Sequence, residues 1–173
     1  TTYGLEYAGK LGPVTAKASY ARQSDRGDSE LDYDADYYMA ELGAGFMGVT
    51  GTLGYEVLAS DDDVGFKTPY ATLHKFQGWA DKFLATPDDG VEDAYVGLAG
   101  AIGPVKLGAY YHDFQAEDSG TDFGTELDLV ATWPVNEYLT LEAKFADFDA
   151  DNDARDRGFR DTTKAWMTVQ LKL

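Results

Sequence analysis

The strongest constraint on this chain is a period of two. Tyr3, Leu5, Tyr7 and Leu11 alternate with Thr2, Gly4, Glu6, Ala8 and Lys10, which reads as a strand with one apolar and one polar face. The pattern returns with Val14, Ala16, Ala18 and Tyr20 against Thr15, Lys17 and Ser19, and again with Tyr38, Ala40 and Leu42 against Glu41 and Gly43. Leu53, Tyr55 and Val57 oppose Thr52, Gly54 and Glu56, and Leu107, Ala109 and Tyr111 oppose Lys106, Tyr110 and His112. Leu127 and Leu129 oppose Glu126 and Asp128, and Leu141 and Ala143 oppose Glu142 and Lys144. Nine such segments can be marked, the last closing the chain at Met167, Val169 and Leu171. The expectation is a single all-β domain over residues 1–173.

The connections alternate as regularly as the strands. Gly12-Pro13, Met47-Gly48, Gly103-Pro104 and Pro134 to Glu137 are tight turns, while the intervening connections are long and acidic. Strands of about ten residues with short turns at one end and long loops at the other predict an antiparallel up-and-down transmembrane β-barrel. Short periplasmic turns and long acidic extracellular loops would then be its two ends. An odd strand count further predicts that upstream strands are missing, so that this is the C-terminal part of a larger barrel. A soluble acidic β-sandwich or calyx that binds a carbohydrate accounts for the same alternation and stays open as the alternative.

Charge narrows the function classes. Thirty-one acidic residues against 14 basic ones give a formal charge of −17, which argues against a nucleic-acid partner. Cysteine is absent, so disulfides and thiol chemistry are excluded. In a barrel the polar rows line the lumen, and Glu41, Glu56, Lys106, Glu126, Asp128, Glu142 and Lys144 are the expected pore-lining residues. Their acidic bias favours cations or neutral solutes.

Residues 61–90 form the one long excursion, read as an extracellular or pore-folded loop. Thr68-Pro69 is a helix-start signal, and Tyr70, Leu73, Phe76, Trp79 and Phe83 recur at helical spacing. A short helix is therefore expected there, with Tyr70, His74, Lys75, Phe76, Trp79 and Lys82 as a constriction or solute-binding set.

Catalysis and metal binding are weakly signalled. His74 and His112 have no serine motif beside them, and Glu126 with Asp128 is explained as lumen lining, so no enzyme is expected. Asp149, Asp151 and Asp153 open like an EF-hand, but Ala154 replaces the required glycine and Arg160 the bidentate glutamate. No cofactor is expected; weak surface Ca2+ binding stays open there and at Asp61 to Asp63 with Asp88 and Asp89.

The stretches YGLEYA, YDADYYMAELG, GTLGYEVLASDDDVGFKTPYATLHKFQGWADKFLATPDDGVEDAYVGLAG, YHDF and KAWMTVQLKL resemble the C-terminal half of alginate-export-like outer-membrane proteins, porin-type barrels of Gram-negative bacteria. The resemblance implies an outer-membrane channel for passive diffusion of small hydrophilic solutes. Its implied partners are the lipid bilayer, lipopolysaccharide, those solutes, and the missing N-terminal strands or another protomer. Alginate itself is not implied, because a polyanion calls for a basic pore.

Overall fold

The computed structural model describes residues 1–27, 32–69 and 77–172. In chain order its elements are β1 (Thr2–Leu11), β2 (Val14–Ser24), β3 (Asp34–Phe46), β4 (Val49–Leu58), β5 (Ser60–Asp61), β6 (Val64–Gly65), β7 (Val91–Ile102), β8 (Val105–Gln115), β9 (Asp122–Pro134), β10 (Leu139–Ala150), α1 (Asn152–Asp156) and β11 (Thr162–Leu171). The nine long strands make one antiparallel sheet in sequence order, and β5 pairs with β6 as a separate ribbon. Two-residue turns set the register, Leu11 facing Val14, Phe46 facing Val49 and Ile102 facing Val105.

A closed barrel is not what these strands make. The sheet ends at β1 on one side and at β11 on the other, and the two do not pair. Nine antiparallel strands leave β1 and β11 running in the same direction, so closing them on each other would need a parallel seam, which hairpin wiring does not supply. Without closure there is no enclosed lumen. The porin-like channel, the lipid and lipopolysaccharide partners and the outer-membrane location were read from a closed barrel and are overturned by the open sheet. Among the described residues no helix is long and apolar enough to cross a membrane.

The two faces of the sheet carry different loads. The apolar rows stand uncovered, Leu5 being 76 % and Met167 85 % exposed. The core lies on the other face, at the end where the long connections gather. There Phe114, Phe123 and Phe148 are fully buried around Phe83, whose ring centroid is 4.7 Å from that of Phe114 and 5.5 Å from that of Phe123. Phe159, just beyond α1, closes the cluster at 5.0 Å from Phe123. A register shift at Phe114/Gln115 lets Phe123 turn inward. Gly124 makes it possible: its φ is +129°, and an added Cβ would sit 2.1 Å from the Asp149 carbonyl oxygen.

The excursion between β6 and β7 returns over the core face as a strap, residues 77–90. The expected helix is not present in the described part of it. Thr68, Pro69 and the strap run through bends and turns. Gln77 (φ +48°), Gly78 (φ +76°) and Asp81 (φ +58°) leave the helical region, and the N–H groups of Trp79 and Ala80 donate to carboxylates rather than to preceding carbonyls. Tyr70, His74, Lys75 and Phe76 lie outside the described residues. Among the described residues a helix is present at α1, where Asp151 caps the N-terminus by accepting from the Asp153 N–H at 3.2 Å.

Candidate ligand cleft

Period two places alternate residues on one face, and the register then stacks them across strands. Glu41 of β3 lies opposite Gly54 of β4, which faces Tyr95 of β7; Tyr95 faces His112 of β8, and His112 faces Glu126 of β9. One step nearer the core, Met39, Glu56, Asp93 and Phe114 form the next row. Glycine at position 54 leaves room for the Tyr95 ring, which occupies the space a Cβ there would take.

Between these rows and the strap lies a cleft of about 490 Å³, walled by Lys17, Tyr37, Glu41, Glu56, Gln77, Trp79, Asp93, Tyr95, Tyr110, His112 and Lys144. Each carboxylate in the wall is held in place. Glu56 accepts from the Tyr37 hydroxyl and from the Gln77 side-chain amide, both at 2.7 Å. Glu41 accepts from Lys17 Nζ at 2.7 Å and from the Tyr95 hydroxyl at 2.8 Å. Asp93 holds His112 Nδ1 at 2.9 Å, and the imidazole stacks between Tyr95 and Phe114 at 5.3 and 5.5 Å. Trp79 supplies an aromatic wall, with its ring 5.8 Å from that of Tyr110 and Lys144 Nζ 5.0 Å above it.

Proton affinities follow from these surroundings. Burial pushes Glu56 up, more than its two hydrogen bonds pull it down. Asp93 is raised for the same reason, against the His112 contact. In Glu41 burial also raises the value, but the bonds from Lys17 and Tyr95 prevail and its net shift is downward. Burial, then Glu41, raises Tyr95 well above the usual phenol range, so it donates at neutral pH.

The seven residues expected to line a pore do share this face, but they do not share one environment. Glu41, Glu56 and Lys144 border the cleft. Lys106 and Glu142 belong to the row nearer the tight turns, where Thr132 Oγ1 donates to Glu142 at 3.2 Å. Glu126 and Asp128 are fully buried beneath the strap rather than facing an aqueous channel. Of the expected constriction set, Trp79 reaches the cleft. Lys82 does not: its ammonium donates to the Arg160 carbonyl and the Thr162 hydroxyl, both at 3.0 Å.

Several of the aspartates considered for calcium are engaged by the protein, Asp151 as the cap of α1. Asp149 and Asp161 pair with Arg155, Asp89 pairs with Arg157, and Asp61 accepts from the Asp34 N–H. Among the described residues no group of three or more His, Cys, Asp or Glu is placed to hold a metal ion.

Tyr37, Gln77, Asp93, Tyr95 and Tyr110 were not singled out from the sequence. Parity along strands already aligned puts the four strand residues on the polar face; Gln77 has no such signal.

No protein-family model matches the chain, and the comparisons with curated proteins and with solved structures find no match. Together with the open sheet, that outcome overturns the resemblance to alginate-export-like outer-membrane proteins.

Proposed function

We propose that the cleft binds a small neutral carbohydrate, without turning it over. The observation that carries this reading is the pairing of an aromatic wall, Trp79 beside Tyr110, with acceptors already locked in place by Tyr37, Gln77, Lys17 and Tyr95. A sugar presents an apolar C–H face and a rim of hydroxyls, which suit a ring and fixed carboxylates respectively. Of the alternative read from the sequence, the calyx is the part a single sheet with a covered polar face offers. A volume of about 490 Å³ accommodates one or two sugar rings.

Charge favours a neutral ligand over a uronic acid, since Glu41, Glu56 and Asp93 outnumber Lys17 and Lys144 in the wall. Binding without turnover is supported by the wall carboxylates being occupied by fixed partners. Isothermal titration calorimetry with neutral mono- and disaccharides tests the reading. A neutral sugar should bind, and Trp79→Ala, which keeps the strap's backbone bonds, should weaken it about tenfold. Binding of uronic acids alone, or an unchanged affinity in Trp79→Ala, overturns it.

A further inference from the structure

Glu126 and Asp128 stand two residues apart on β9, on the same face, and both are 0 % exposed. One oxygen of each converges on the strap. Glu126 Oε1 accepts the N–H groups of Trp79 at 2.5 Å and Ala80 at 2.7 Å, and Asp128 Oδ2 accepts the Trp79 N–H at 3.1 Å. The strap comes this close because residue 78 is glycine: a Cβ there would sit 2.5 Å from Glu126 Oε2. The second oxygen of each carboxyl, Glu126 Oε2 and Asp128 Oδ1, is buried and has no hydrogen-bond partner.

Two adjacent carboxylates, each with a dry and unpaired oxygen, are unstable as dianions. Among the described residues no lysine or arginine forms an ion pair with either, and no ligand set for a metal ion exists. A single proton held by the pair would remove one of two like charges, which stand close enough for one oxygen of each to accept from the same Trp79 N–H. We propose that Glu126 and Asp128 share one buried proton, and that this proton latches the strap to the sheet.

The charges around the pair are consistent with that role. From β8, His112 Nε2 lies 3.7 Å from Asp128 Oδ2, while its Nδ1 is taken by Asp93 of β7. Glu56 of β4 adds negative charge and also holds the strap, through Gln77. Lys82 of the strap acts on Glu126 only at a distance. Lys144 of β10 sits over the Trp79 ring, and Lys164 of β11 pairs with Asp81. Burial first, and then the neighbouring Glu126, push Asp128 up to about 9 from an ordinary 3.8. The folded chain therefore keeps a proton that the unfolded chain has already released at neutral pH. The pair's stabilisation is complete below the ordinary value and is lost as pH rises through the folded one. The proton leaves to hydroxide, and the strap is then held over two adjacent buried charges.

Hydrogen exchange of the 77–83 backbone, expressed as protection factors from pH 6 to about 10.5, tests the latch without any sugar. Protection in the wild type should fall progressively from pH 6, by at least about tenfold in all, and level off once the pH passes the folded value near 9. Asp128→Asn, which removes one of the two ionisable groups and supplies a permanent donor in its place, should keep its protection across the range. Loss at the same pH in Asp128→Asn, or full wild-type protection at the alkaline limit, overturns the proposal. Carbon-13 titration of the two carboxyls in the wild type gives an independent reading should Asp128→Asn fold poorly. One shared proton at neutral pH is expected, and two ionised carboxylates there overturn the idea.

Discussion

On one face of the sheet, leucines, valines and tyrosines stand uncovered; on the other, Asp93, Glu126 and Asp128 are sealed from water. The same nine strands produce both, so hydrophobicity alone does not decide which side is dry. Cover decides it. The strap brings Phe83 down between Phe114, Phe123 and Phe148, its backbone is received by Glu126 and Asp128, and Ala154 of α1 packs into the same aromatic cluster. A buried polar cluster needs a specific cause, and here the strap is that cause.

The contrast is most easily broken at the aromatic core. Phe114 is 0 % exposed and touches Phe83, Phe148 and the His112 ring. Phe114→Ala should cost about 3–5 kcal/mol, the usual range for emptying a buried phenylalanine site. Urea denaturation measures it. A cost under about 1 kcal/mol would place the folding core elsewhere, because surface substitutions rarely exceed that.

Less costly, and aimed at the cover rather than the core, is Gly78→Ala. It combines a left-handed backbone with a Cβ 2.5 Å from Glu126 Oε2. The expected loss is roughly 1–3 kcal/mol, with the strap displaced and the cleft enlarged. Thermal unfolding reports the stability, and exchange at the Trp79 and Ala80 amides reports the displacement. A neutral effect on both would mean that the close approach of strap and carboxylate does not hold the cleft together.

These two sites also mark how far the sequence could be read. Alternation placed Glu41, Glu56, Glu126 and Asp128 on one face, and the observed register puts them there. The tight turns were legible because Gly12-Pro13, Met47-Gly48 and Gly103-Pro104 leave few ways to join two strands. Closure was not legible, since it depends on whether β1 and β11 meet, and no local pattern in either strand encodes that. The described end of that excursion, residues 77–90, shows a related limit. Spacing of Trp79 and Phe83 suits a helix, but left-handed Gln77 and Asp81 are set by where the strap's N–H groups find acceptors, a tertiary effect that residue type does not announce. The Asp93–His112 pair escaped because its members lie 19 residues apart and meet only through the β7–β8 register.

The smallest expected effect tests the other half of the contrast. Leu98 lies on β7, the central strand of the nine, on the apolar face, and is 62 % exposed. If that face is as uncovered in solution as it is in the single chain, Leu98→Ala removes side-chain carbons that already meet solvent. Stability should then change by no more than about 0.5 kcal/mol. Paired with Phe114→Ala on the adjacent strand, the measurement compares two faces of the same hairpin under identical conditions. A loss at Leu98 approaching that at Phe114 would show that something covers the apolar rows. The distinction between a face that folds the chain and a face left open would then no longer hold.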